Sequence, residues 1–211
     1  HRNAKPLDEE GYSTELIATE AINIIKNKDQ NRPLFLYVAF NAPHTPIEAP
    51  IELINEFTDI ENEKDRVYAA NVSALDTEIG RIIKAIEQEG ILEETIILFF
   101  SDNGPVFDID PIAQVIAPNL INAKGSTAGL RGSKTSTFEG GIRVPAVIWW
   151  KGVIENAKSD QFFFVQDILP TLLRASKVNI AETIKFDGKD KWLNLLKNEI
   201  VPPKNAFIGA R

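Results

Sequence analysis

Asp102 and Asn103 stand side by side in Ser101-Asp102-Asn103-Gly104. Together they offer a carboxylate and a carboxamide oxygen on adjacent residues. Hard oxygen donors of this kind suit Ca²⁺ or Mg²⁺ better than zinc. The pair follows the apolar run Ile96-Ile97-Leu98-Phe99-Phe100, and ligands of open α/β sheets gather beyond the carboxyl ends of strands. An Asp-Asn-Gly sequence is equally an ordinary turn, because Asn and Gly accept positive φ. His44 sits in Asn41-Ala42-Pro43-His44-Thr45-Pro46, behind a second apolar run. If both runs are parallel strands, it falls on the same sheet edge, where an imidazole can donate to an anion or protonate a leaving group. The alternative is a surface-loop histidine. Leu130-Arg131-Gly132-Ser133-Lys134 brings two cations beside a glycine. Cations near a metal suit a tetrahedral oxyanion such as sulfate or phosphate; a solvated basic turn is the plainer reading.

The elements that would position these groups alternate between helix-like and strand-like patterns, which predicts an α/β fold with a largely parallel sheet. Tyr12-Ser13-Thr14 predicts a helix start, running to about Lys28. Leu34 to Phe40 is a continuous apolar run and is expected to be a buried strand. Val67, Ala70, Ala74, Leu75, Ile79, Ile82, Ile83 and Ile86 recur at helical spacing, so a long helix is expected over 65–89, ended by Gly90. Strands are expected at 96–100 and 146–150, and a short helix at 167–175 with Asp167 as its N-cap. Residues 105–129 form a long segment without period, a length that usually signals function or disorder. Glu139-Gly140-Gly141-Ile142-Arg143-Val144-Pro145 sets two glycines before a strand, a pattern of close backbone approach. Asn71-Val72-Ser73 has the form of a glycosylation sequon but falls inside the long helix and is discounted.

Composition narrows the classes. The chain has 211 residues, 44% hydrophobic and 25% charged, with a net charge of -7. No Lys/Arg-rich block appears, so nucleic acid is not an expected partner. No apolar stretch is long enough to span a bilayer. There is no cysteine, which excludes disulfides and thiolate metal sites within the chain. With no methionine and an opening at His1-Arg2-Asn3, the chain is expected to be an internal portion of a longer polypeptide. No Gly-x-Ser-x-Gly nucleophile turn and no Gly-rich phosphate loop is present.

The order of the segments resembles one family. Pro33-Leu34-Phe35-Leu36-Tyr37 leads to Pro43-His44-Thr45-Pro46. Tyr68-Ala69-Ala70-Asn71-Val72-Ser73-Ala74-Leu75-Asp76 continues through Ile79-Gly80, and Thr95-Ile96-Ile97 leads to Ser101-Asp102-Asn103-Gly104. Leu130-Arg131-Gly132-Ser133-Lys134, Phe138-Glu139-Gly140-Gly141-Ile142-Arg143-Val144-Pro145 and Asp167-Ile168-Leu169-Pro170-Thr171 complete the set. In this order the chain resembles the middle and C-terminal part of a type I sulfatase of the alkaline-phosphatase-like superfamily. Its nearest flavour is the arylsulfatase group that includes the N-acetylgalactosamine-4-sulfatases.

The resemblance implies a mostly parallel sheet with helices on both faces over 1–178, and a C-terminal element over 179–211. It implies hydrolysis of a sulfate ester, arylsulfatase-like, on a small molecule or carbohydrate. Asp102 and Asn103 match ligands of a catalytic Ca²⁺ (Mg²⁺ as alternative). Lys134 and His44 match groups that contact the sulfate and assist the leaving alcohol, while Asp76 and Asp167 match structural positions. The family's nucleophile is a formylglycine made from Cys or Ser in a Cys/Ser-x-Pro/Ala-x-Arg motif, and Ser126-Thr127-Ala128-Gly129-Leu130-Arg131 has one residue too many to be it. That modification is therefore expected upstream of this chain, and the segment alone is expected to be inactive. A periplasmic, secreted or lysosomal location goes with the family. The alternatives are a phosphodiesterase or phosphonate monoester hydrolase of the same superfamily, or a non-catalytic fragment or pseudoenzyme.

Overall fold

A computed structural model describes residues 3, 5–106, 125–181 and 183–201. Most of the expected long segment 105–129, and the end of the C-terminal stretch, lie outside the described residues. Helix α1 spans Ser13–Lys26. Tyr12 takes the N-cap position without a side-chain cap, and its hydroxyl instead donates to Glu48 O at 3.1 Å. The helix stops short of Lys28 because Asn27 turns back on it: both its backbone N–H and its side-chain amide donate to Asn23 O, at 3.1 and 2.8 Å. A short helix α2, Ile51–Glu56, precedes the long helix α3, Glu63–Gln88. The latter starts before Asp65 because Asn62 Oδ1 accepts the N–H groups of Lys64 and Asp65, two of the donors a helix start leaves without partners. Gly90, at φ +70, follows its end as expected.

α1 packs along α3. The first buries Ala18, Ala21 and Ile25, the second Ala70, Ala74, Leu75, Ala85 and Ile86. Alanines at these positions let two backbones approach closely. Arg81 of α3 ties the pair at its polar margin, bonding Glu78 Oε2 at 2.6 Å and Thr19 Oγ1 at 3.4 Å. Asn71 is 3% exposed and its amide donates to Glu48 O at 2.7 Å. The sequon asparagine is thus buried and ties α3 to the loop at Glu48.

After a 3₁₀ turn at Leu92–Glu94, strand β1 spans Ile97–Phe100 and pairs with strand β2, Ala146–Trp149. Ser101 N–H donates to Pro145 O and Gly104 N–H to Gly141 O. Residue numbers fall on one side as they rise on the other, the register of antiparallel neighbours. One turn of helix, α4, Glu139–Ile142, precedes β2. The expected strand at Leu34–Phe40 is not formed among the described residues: the run has no ladder, and Phe35 and Tyr37 are 76% and 73% exposed. An apolar run becomes a strand only when a neighbouring strand supplies hydrogen-bond partners, and none of the described residues does so.

Contacts divide the chain into two compact units, one of residues 1–95 and 99–147, the other of 96–98 and 148–211. The second contains helices α5, Val165–Ala175, and α6, Trp192–Lys197. Asp167 is not the N-cap of α5; that position belongs to Phe164. Asp167 lies three residues inside, 3% exposed, and reaches back to accept Phe164 N–H at 3.1 Å through Oδ2. Its Oδ1 accepts Lys189 N–H at 2.8 Å. One turn on, the fully buried Thr171 accepts Lys191 N–H at 2.9 Å. The pair clamps the loop before α6, and Trp192 then packs at 5.6 Å from the Trp150 ring. The α/β architecture stands, with helices and a small two-stranded sheet.

Candidate active site

The chain leaves β1 at Ser101, whose hydroxyl donates to Asn103 O at 3.0 Å and bends the backbone. Asn103 donates through Nδ2 to Gly104 O at 3.0 Å. The amide nitrogen is thereby occupied, which leaves Oδ1 available as an acceptor. Asp102 is exposed, and its carboxylate takes no hydrogen bond among the described residues.

Beyond this bend, three loops meet at glycines. Gly104 is buried and its N–H donates to Gly141 O at 2.9 Å; Gly140 N–H donates to Arg131 O at 2.7 Å. A Cβ on Gly104 would run into Gly140 O, and one on Gly140 into Gly132 O. A Cβ on Gly141 would strike the carbonyls of Ser133 and Ser136. Only residues without side chains permit this approach, as the Gly140-Gly141 pair predicted. The strand-end turn, the Arg131–Ser136 loop and α4 are therefore one backbone assembly.

Lys134 is fixed into it by its own amide, which donates to Pro105 O at 2.8 Å. Ser136 N–H donates to Ser133 O at 3.0 Å and closes a turn with Lys134 and Thr135 at its centre. Among the described residues no acidic group pairs with the Lys134 ammonium. Arg131, the other cation, lies with its guanidinium carbon 3.8 Å from the Phe138 ring centroid, a cation–π contact that uses its flat face.

His44 stands on a separate turn, between cis bonds at Pro43 and Pro46. Its N–H donates to Asn41 O at 2.8 Å. Nδ1 lies 2.9 Å from Thr45 O, to which it donates in the tautomer protonated there, and 3.4 Å from Thr45 Oγ1; among the described residues no hydrogen bond reaches Nε2. The far end of this loop is held at Glu48 O, which receives both Tyr12 and Asn71. The structure thus joins Asp102, Asn103 and Lys134 through adjoining backbone. Among the described residues no hydrogen bond links the His44 turn to that assembly.

A hard cation fits the donor chemistry of Asp102 and Asn103, since among the described residues neither the Asp102 carboxylate nor Asn103 Oδ1 has a hydrogen-bond partner. Two residues do not complete a shell of six or more oxygens, and among the described residues no group of three or more His, Cys, Asp or Glu is arranged to hold a metal ion. Sequence reasoning missed Thr135 and Ser136. The first has a φ of +77 and the second accepts Ser133 N–H on its hydroxyl. Neither property has a signal in residue type.

The sulfatase family profile matches residues 1–178. The chain belongs to the sulfatase family. It is 32% identical over 209 residues to the uncharacterized sulfatase YdeN of Escherichia coli, across 97% of this chain and 35% of that protein. It is 33% identical to mouse arylsulfatase J over 86% of this chain and 28% of that one. It is 30% identical to mouse N-acetylgalactosamine-6-sulfatase over 91% and 34%. The crystal structure of Ps i-CgsB in complex with k-i-k-neocarrahexaose superposes with a TM-score of 0.80 at 30% identity, covering 94% of this chain and 41% of that one. This sulfatase chain therefore spans about a third of the length of the curated relatives it matches. No helix among the described residues is long and apolar enough to cross a membrane.

Proposed function

We propose that residues 1–178 form the later part of a sulfatase catalytic domain, with 179–211 opening a C-terminal subdomain, and that the complete protein hydrolyses sulfate esters of carbohydrates. One observation carries this reading: the Lys134 amide is bonded to Pro105 O, two residues beyond Asn103, in a chain of this family. A cation and a pair of hard oxygen donors are thereby held together beside a strand end.

Asp102 and Asn103 would hold the calcium. When present, the family's calcium and formylglycine supply, respectively, charge withdrawal from the sulfate and the attacking oxygen. Two residues of this chain supply part of the rest. Lys134 neutralises charge gathering on the sulfate oxygens, where a fixed cation acts more strongly than in water. His44, in the form that carries a proton on Nε2, gives that proton to the departing alkoxide. The sugar assignment draws on relatives, one named for an N-acetylgalactosamine 6-sulfate and one bound to neocarrahexaose. Family membership likewise supports a periplasmic, secreted or lysosomal location.

The test is sulfate release by the complete protein, measured by ion chromatography, on an aryl sulfate, a panel of sulfated monosaccharides and an aryl phosphodiester. Release from the sulfates, with the phosphodiester slower by at least about a hundredfold, is expected. Faster phosphodiester cleavage would replace the reading with a phosphodiesterase on the same scaffold.

A further inference from the structure

The carboxamide of Asn71 stands among apolar side chains. Ala74 and Leu75, three and four residues further along α3, are buried, and so is Asn71. Its Nδ2 donates to Glu48 O at 2.7 Å, while its Oδ1 is buried without a hydrogen-bond partner among the described residues. A buried amide satisfied at one end only costs stability, and an apolar side chain of the same outline would not carry that cost. Leucine has that outline. What the amide gains in exchange is the single bond to Glu48 O.

That bond fastens the loop of His44. The turn at His44 is closed on Asn41 O. Beyond it, the first hydrogen bonds that join the loop to the helices are at Glu48 O, which receives Asn71 Nδ2 and the Tyr12 hydroxyl. The stretch between is stiff. Pro43, Pro46 and Pro50 have their own φ fixed, and each restricts the residue before it, Ala42, Thr45 and Ala49. The loop then enters α2, which packs on α3. With so few free torsions, a displacement at Glu48 is passed along to His44 rather than absorbed. Tyr12 holds the same carbonyl at 3.1 Å from a half-buried ring, the longer of the two bonds.

We propose that Asn71 is a positioning residue. Through Glu48 O it sets where the His44 imidazole stands, and α3 keeps a buried amide for that purpose at a cost in stability. The proposal rests on the reading of His44 as proton donor to the leaving alkoxide.

The test compares Asn71→Leu and Tyr12→Phe in the complete protein, each with His44 present and in His44→Ala. The readouts are thermal melting and kcat on a sugar sulfate and on a nitrophenyl sulfate. Asn71→Leu is expected to hold Tm within about 2 °C or to raise it. It is expected to lower kcat roughly tenfold on the sugar sulfate and less than about twofold on the nitrophenyl ester, whose leaving group needs little protonation. Tyr12→Phe is expected to move the ratio of the two rates in the same direction, by about threefold. In His44→Ala, Asn71→Leu is expected to cost nothing further, since a residue that acts through another is not additive with it. Equal losses on both substrates, or a loss that persists without His44, would overturn the positioning role. A Tm lower by more than about 5 °C would overturn the stability cost assigned to the amide. Should Asn71→Leu fail to fold, Tyr12→Phe still decides the transmission, because an unmoved ratio there would overturn the path from Glu48 to His44. If His44→Ala itself leaves the sugar sulfate unaffected, the reading of His44 falls; if His44→Ala is costly and Asn71→Leu is indifferent, only the proposal falls.

Discussion

The amide of Lys134 donates to the carbonyl of Pro105 at 2.8 Å. Through this bond the loop that carries the cation is fastened to the turn that carries Asp102 and Asn103. Because the fastening is backbone, the ammonium can be removed without undoing it. Lys134→Ala is expected to lower kcat by roughly two to four decades while Tm stays within about 2 °C. Near-normal turnover would remove Lys134 from the chemistry.

A histidine acting as general acid matters most when the leaving group is a poor one. His44→Ala should therefore cost roughly two to four decades on a sugar sulfate and far less on a nitrophenyl sulfate. Equal losses on both substrates would show that His44 contacts the sulfate rather than the departing oxygen.

Binding to the folded state alone raises stability by mass action, by about 2.7 kcal/mol at a hundredfold excess over Kd. Millimolar calcium is expected to raise the Tm of the complete protein, and Asp102→Ala to shrink that shift with no catalytic assay involved. An unchanged calcium response in Asp102→Ala would exclude Asp102 as a ligand.

Gly140→Ala is expected to be far worse than an average surface substitution. Its Cβ would strike Gly132 O and Arg131 O, both backbone atoms with no rotamer to yield. Overpacking of this sort costs about 1–3 kcal/mol and sometimes more. Urea denaturation of Gly140→Ala beside Gly80→Ala, where the added Cβ meets nothing within 4 Å, provides the comparison. Similar midpoints would show that the loops separate easily.

Asp167→Ala leaves two backbone donors, of Phe164 and Lys189, without their acceptor. Both bonds are part-buried, so water takes over part of the loss; at about 0.5–1.5 kcal/mol net for each bond, a loss of roughly 1–3 kcal/mol in chemical denaturation is expected. The kcat of whatever remains folded should be little altered. A specific loss of kcat would move Asp167 from scaffold to site.

The helices are the most legible part of this chain. In α3, Ala70, Ala74, Leu75 and Ile86 recur at helical spacing and are among the residues buried, because helical periodicity is a local property. Leu34–Phe40 misleads for the converse reason: its composition suits a strand, but a ladder depends on distant partners. Asp167 sits one turn away from its expected place, since an acid near a helix start serves equally well at the cap or three residues inside. Asp102, Asn103 and Lys134 can be named from residue type and order, and the Gly140-Gly141 pair announces the close packing beside them. The torsion of Thr135 cannot be read, since backbone angles are imposed by bonds from Pro105, Ser133 and Ser136 rather than by threonine itself.

The shared acceptor at Glu48 separates two lineages of adjustment. Its carbonyl ties the end of the His44 loop to Tyr12, at the head of α1, and to Asn71, within α3. The groups suited to grip an anion hang instead from the strand-end glycines. If His44 is the proton donor proposed above, substitutions along the helix pair would reach it through Glu48 without passing through the glycine assembly. The proposed leaving-group side and the proposed anion side of the site would then be adjustable one at a time.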